Sequence, residues 1–172
     1  MQIRPADAGD HAGIDALLRA AFATSAEARL VQALRAADAD TLELVAEDHD
    51  AIIGAVLFTP VEAIGADTRH VVGIGLAPLA VTDARRQQGI GSALVETGLD
   101  FLKALGPPVI AVLGEPDFYA RFGFVPASRT GWRWDADHED SVGDAFQLLT
   151  LDASRLPPSP GKIRYHRAFS QL

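Results

Sequence analysis

Hydrophobic positions recur along this chain with two different periods, and the change from one to the other divides it. Ile3 sits in a short opening segment that reads as an edge strand. Asp7 or Asp10 then caps a helix whose apolar stripe is Ile14, Leu17, Leu18, Ala21 and Phe22, the three- and four-residue spacing of one helix face. Residues 24–26 break the pattern, and Ser25 opens a second helix with Ala28, Leu30, Val31 and Leu34 on its apolar side. From there the period shortens. Residues 42–46 and 52–58 read as strands joined by Glu47-Asp48-His49-Asp50, which is polar turn chemistry. Gly65-Ala66-Asp67 marks another turn, and 71–81 reads as a long strand. Runs separated by turns this short pair antiparallel.

The helical period then returns over residues 89–105, where Ile90, Leu94, Phe101, Leu102 and Leu105 fall on or near one face. Gly106-Pro107-Pro108 stops that helix. Residues 109–113 form a short, wholly apolar strand of the kind buried on both faces. The strand–helix–strand run over 71–113 predicts a right-handed crossover between parallel strands. Beyond it, 116–122 reads as a short helix, and 124–125 and 145–151 read as further strands. A Pro-rich hinge at 156–161 precedes residues 162–169, which form an extra edge strand or an ordered tail. The expected fold is therefore α/β of the α+β type: a mixed, mostly antiparallel central sheet flanked by helices. One domain over 1–172 accounts for the length.

Composition narrows the function classes. The chain has no cysteine, which removes thiolate metal sites and cysteine nucleophiles. The histidines show no metal-ligand spacing, so no metal is expected. A formal net charge of −8 disfavours nucleic acid, because phosphate neutralisation needs a basic footprint. The opening MQIRPADAGDH lacks a basic-then-apolar leader pattern, and charges or turn residues interrupt every apolar run. A cytoplasmic protein without membrane or nucleic-acid partners, monomeric or homodimeric, is expected.

One segment carries chemistry that the net charge does not forbid. In Arg85-Arg86-Gln87-Gln88-Gly89-Ile90-Gly91-Ser92 a strand has ended, a polar loop follows, and two glycines open the long helix. The first turn of a helix leaves backbone N–H groups without partners, and the macrodipole adds partial positive charge there. Glycine removes the Cβ that would block a phosphate from those donors. Together they make an anion site that needs few charged side chains. The plainer reading of Gly89 and Gly91 is a tight turn with close helix packing. The segment lacks Gly-Lys-Ser/Thr and a third glycine, so neither a P-loop nor a dinucleotide fingerprint fits.

Arg86-Gln87-Gln88-Gly89-Ile90-Gly91 resembles the Gln/Arg-x-x-Gly-x-Gly/Ala signature of the GNAT acetyltransferase superfamily. A second segment, Gly114-Glu115-Pro116-Asp117-Phe118-Tyr119-Ala120-Arg121-Phe122-Gly123-Phe124, resembles that superfamily's Tyr-x-Arg/Lys-x-Gly-Phe. The chain is also similar to bacterial predicted N-acetyltransferases of undefined substrate, down to the C-terminal run 161–169. It departs from them in having Glu115 for Asp and Phe118 for a first tyrosine. The resemblance implies that the central sheet contains a splayed parallel strand pair. It implies that acetyl-CoA is the co-substrate, with its pyrophosphate on the backbone of Arg86, Gln87, Gln88, Gly89, Ile90, Gly91 and Ser92. It also implies that the pantetheine arm pairs with Leu79, Ala80 and Val81, and that the acetyl group passes directly to a primary amine, of a small molecule ahead of a protein. Pro78 suits a bulged or splayed strand, because proline cannot donate to a ladder. A non-catalytic CoA-binding sensor is the alternative.

Tyr119 has a chemical task in that scheme. Amine attack on a thioester expels a thiolate; a free thiol titrates at about 8.5 and a phenol at about 10. A phenol beside the sulfur can donate as charge develops. The other reading is an aromatic core residue with a satisfied hydroxyl. Glu47, Glu62, His70, Asp83 and Glu115 are open candidates for the general base. The run from Trp132 to Asp140 is aromatic, then acidic, and reads as a solvated loop or as a lip attracting a cationic amine.

Overall fold

The change of period becomes a change of element in the computed structural model, which describes residues 1–139 and 141–171. Asp140, last of the acidic run, lies outside the described residues. The chain divides into two compact units. The first is Met1–Thr59 with Ala77–Ala104 and the residues from Ala168 on; the second is Pro60–Leu76 with Leu105–Arg167.

In the first unit, β1 (Gln2–Pro5) pairs antiparallel with β2 (Leu42–Asp48), Ile3 opposite Ala46. β2 pairs antiparallel with the start of β3 (Ala51–Ile64), Val45 opposite Ala55. Helices α1 (His11–Ala21) and α2 (Ala26–Ala36) lay Leu17, Leu18, Leu30 and Leu34 into one core with Val45, Ala55 and Leu57. Each fully buried leucine contributes on the order of 1.5–3 kcal/mol. The alternate residues of the same strands, Leu44, Val56 and Phe58, are also buried, because α3 (Ile90–Leu105) covers the other face. Phe58 lies where a side chain on Gly98 would be, and Ile90 and Leu94 pack onto Gly54. The stripe of α3 differs from the expectation at its C-terminal end. Ile90, Leu94, Val95 and Leu102 are buried, whereas Phe101 and Leu105 are 46% and 65% exposed. At 100° per residue the five expected positions lie within about 120° of one another, so the exposure of Phe101 and Leu105 reflects what packs over the C-terminal end of the helix and not its rotation.

Asp7 opens the run into α1 as a capping box, its carboxylate accepting from Gly9 N–H (2.7 Å) and Asp10 accepting from Asp7 N–H (2.8 Å). Arg4 ties this corner to β2, forking onto Asp10 at 2.6 and 2.9 Å and reaching Glu47 at 2.8 Å.

In the second unit, β4 (His70–Val81) pairs parallel with β5 (Val109–Leu113) over Ile74–Leu76, opposite Ile110–Val112. This is the pairing that the strand–helix–strand pattern predicts. α4 (Pro116–Ala120) follows; β6 (Val125–Pro126) and β8 (Phe146–Thr150) pair antiparallel, and β8 pairs antiparallel with β5. β9 (Lys162–Tyr165) takes the C-terminal part of β3 antiparallel, so the tail is an edge strand, and it pairs with the short β7 (Arg133–Trp134). Val61, Ala63, Val109, Ala111, Trp132 and Phe146 form this unit's core. The strand order is β1-β2-β3-β4-β5-β8-β6, with β3 and β4 running through both units. The result is an open, mostly antiparallel sheet with the β4–β5 parallel pair, flanked by helices. No helix among the described residues is long and apolar enough to cross a membrane.

Candidate active site

The first unit holds the glycine turn. Beyond Val81, Thr82 N–H donates to Ile53 O (2.9 Å), and Asp83–Arg85 closes a 3-10 turn with Arg85 N–H on Thr82 O (2.9 Å). Gln87 and Gly89 are both left-handed, at φ 59° and 81°. A β-carbon on Gly89 would meet nothing within 4 Å, so backbone conformation rather than crowding selects glycine there. Ala93 N–H donates to Gly89 O at 2.9 Å as the first bond of α3. The N–H groups ahead of it therefore lie where an α-helix has no acceptor of its own. Gly54 lets Ile90 and Leu94 sit directly on β3 beside Ala80, which fixes the direction of that helix end.

The side chains around this turn divide by role. Arg86 is half-exposed; its guanidinium contacts Asp83 at 2.9 Å and donates to Val81 O and Ala21 O at 3.4 Å. Arg85 is committed elsewhere, paired with Asp48, which also takes the N-terminal ammonium at 3.2 Å. Those cations, the ammonium first, hold the Asp48 carboxyl below the usual carboxylate range. Gln88 braces the turn through Ala84 O (3.1 Å), and Gln87 points to solvent. Ile90 is buried, and Gly91 and Ser92 are half-buried in the first turn of α3. Leu79 and Val81 are half-buried and Ala80 buried. Pro78 stands two residues past the β4–β5 pairing.

The second unit holds the tyrosine. Gly114 follows β5, its N–H donating to Ala145 O at 2.9 Å. A β-carbon on it would stand 2.5 Å from the Tyr119 ring, so the missing side chain is the space that the ring fills. Phe118 and Phe124 hold that ring edge-on at 4.8 and 5.7 Å between centroids. Burial pushes the Tyr119 phenol up to about 12, because ionisation in an apolar surrounding is disfavoured. Its hydroxyl makes no hydrogen bond among the described residues. Arg121 lies over the Phe118 ring at 4.7 Å and donates to Phe118 O.

The open candidates for a base fall in different places. In the first unit, Glu47 is bonded to Arg4 and Asp83 to Arg86. In the second, Glu62 faces Arg164 and His70, each at 3.7 Å, while Glu115 is exposed ahead of α4. Two residues escape sequence reasoning. Gln147 alternates with Phe146 and Leu148 and so reads as an outward residue, yet it is 1% exposed because β5 and β6 flank its strand. Its amide donates to Gly114 O at 3.3 Å, and its Oε1 is buried without a partner. Glu27 reads as a first-turn acid complementing the dipole of α2, yet its Oε2 is buried and also lacks a partner. No sequence period marks either one, since both depend on what packs over them.

With this geometry in view, the comparisons are specific. The family profile described as an acetyltransferase (GNAT) domain matches residues 39–126, from just before β2 through the tyrosine segment. The uncharacterized N-acetyltransferase YhbS of Escherichia coli is 41% identical over 164 residues, 95% of each chain. A crystal structure of E. coli YhbS, a GNAT family N-acetyltransferase in complex with CoA, aligns with a TM-score of 0.88 and 38% identity, covering 99% of this chain and 92% of that one. A GNAT family acetyltransferase from Brucella melitensis in complex with acetyl-CoA aligns with a TM-score of 0.77 and 32% identity, covering 98% and 97%.

Proposed function

The chain belongs to the GNAT acetyltransferases, and from that premise we propose that it moves the acetyl group of acetyl-CoA directly to a primary amine of a small molecule. The observation that carries the cofactor half is the entry into α3. Left-handed Gln87 and Gly89 turn the chain so that the amide groups of the first helical turn open outward, with Arg86 beside them. That is a diphosphate-binding arrangement in a chain of net charge −8, and it works through main-chain donors. The backbone of Leu79, Ala80 and Val81 pairs with the pantetheine arm. An N–H at Ala80 or Val81 polarises the thioester carbonyl in the manner of an oxyanion hole.

The amine nitrogen attacks the carbonyl carbon, the C–S bond breaks, and the proton shed by nitrogen balances the charge left on sulfur. Tyr119 serves the departing sulfur. A phenol that titrates near 12 stays protonated throughout the working range. It therefore stabilises the thiolate chiefly by donating a hydrogen bond, and full transfer of its proton to a thiol of ordinary pKa, about 8.5, is uphill.

Tyr119→Phe tests this role. Its kcat should fall about 100-fold, the order expected for losing one donor aimed at developing charge. Acetyl-CoA affinity by calorimetry should stay within about twofold, because the diphosphate site is elsewhere. A variant that turns over a competent amine at the wild-type rate removes Tyr119 from the mechanism. Tight acetyl-CoA binding with no release of free thiol across a broad amine panel would identify a CoA-binding sensor instead.

A further inference from the structure

Gly114, which joins β5 to α4, is held through both of its backbone polar groups. Its N–H donates to Ala145 O at 2.9 Å, one step past the pairing of Leu113 with Phe146. Its carbonyl is taken by a side chain: the Gln147 amide nitrogen donates to Gly114 O at 3.3 Å. An amide oxygen facing a carbonyl oxygen at that distance would be repelled, so the chemistry fixes which end of the amide lies there. Gln147 is enclosed, 1% exposed, with Val112 of β5 opposite it on one side and Pro126 of β6 on the other.

This contact orients the start of the tyrosine helix. The Gly114 carbonyl and the Glu115 N–H belong to one planar peptide. Glu115 O in turn accepts from Phe118 N–H and Tyr119 N–H at 3.1 and 3.2 Å. α4 has five residues, too few for helix propensity to hold it, so contacts at its ends set its direction. The ring of Tyr119 also rests on Gly114 itself. Two short routes therefore run from Gln147 to the phenol, one along the chain and one through packing, both within the second unit.

The arrangement is a poor one for stability. Gln147 Oε1 is buried with no hydrogen-bond partner among the described residues, which is destabilising. An apolar side chain of the same length would fill the space without that orphaned oxygen. We infer that Gln147 is a positioning residue for Tyr119: its amide fixes the Gly114–Glu115 peptide and with it the place of the ring. The consequence for turnover rests on the role proposed for Tyr119; the positioning of the ring does not.

The test uses the full chain labelled with 13C in the rings of its two tyrosines, Tyr119 being the signal absent in Tyr119→Phe. Gln147→Met keeps the length and loses the donor. Its Tyr119 signal should shift or broaden, and its denaturant midpoint should hold or rise. Its kcat should fall about tenfold, with acetyl-CoA affinity within about twofold of the wild type. A residue that only fills the core gives the reverse, a lowered midpoint with wild-type kcat, and that result overturns the inference. An unmoved Tyr119 signal does so as well. In the double variant with Tyr119→Phe, kcat should match that of Tyr119→Phe alone, because the positioned group is gone; losses that multiply count against the inference. Should Gln147→Met misfold, Gln147→Glu decides. Burial raises the pKa of the new carboxyl, and only its protonated form can donate to Gly114 O. The ratio of its kcat to that of the wild type should therefore rise as pH is lowered, and a ratio flat with pH overturns the inference. If Tyr119→Phe turns over at the wild-type rate while Gln147→Met still moves the Tyr119 signal, the mechanism proposed for Tyr119 fails and the positioning of its ring stands.

Discussion

At the scale of single residues, the role proposed for Tyr119 is tied to stability. Its ring fills the space that Gly114 leaves open, and that burial raises its pKa to about 12. In the unfolded chain the phenol titrates near 10. The folded state thus holds a proton that the unfolded state has lost between those two values. Stability from this group is full below about pH 10 and falls away as pH climbs to about 12, by about 1.4 kcal/mol for each pH unit in that window. Denaturant titrations at pH 9.5 and 11.5 should show a smaller loss in Tyr119→Phe than in the wild type. Equal losses would mean the phenol is solvated. Gly114 acts at the same scale: any side chain there must displace the ring, so Gly114→Ala should reduce turnover while sparing acetyl-CoA binding.

At the scale of elements, the glycine turn depends on how α3 is entered and on what it packs against. Gly89 is left-handed in open space. Alanine there is strained by about 1–2 kcal/mol through its backbone alone. Gly89→Ala should lower the denaturant midpoint by that equivalent. It should also weaken acetyl-CoA binding about tenfold, because relaxing the turn swings the first-turn N–H groups away from the diphosphate. Binding that is unaffected while stability falls would separate the turn from the cofactor. The seat of the helix is legible only in part. The sequence shows that residues 90–105 form a long amphipathic helix and that it stops at Gly106. It does not show that Phe101 and Leu105 stay exposed, because their burial depends on where the helix lies over β2 and β3.

At the scale of the whole molecule, charge sets the kinetics. The chain carries −8 and its proposed co-substrate is a polyanion. The Debye length shrinks from about 30 Å at 0.01 M salt to about 8 Å at 0.15 M. At low salt the ligand therefore meets the field of the entire protein, and at physiological salt it meets mainly Arg86 and the helix end. The association rate constant for acetyl-CoA should rise between those salt concentrations, the reverse of electrostatically steered capture. Stopped-flow binding reads it directly, and a steep fall with salt would show that local cations dominate.

The sequence by itself determined the order of helices and strands, the parallel crossover around α3, and the two motifs at residues 86–92 and 114–124. These follow from periodicity and from residues such as Gly89 that admit few backbone conformations. Tertiary structure decided which polar groups are buried without partners. Gln147 and Glu27 look ordinary along the chain; they become distinctive only when β5 and β6 close around one and packing covers an oxygen of the other. Burial is a property of what lies across space, and local pattern carries no record of a neighbour that is far away in sequence.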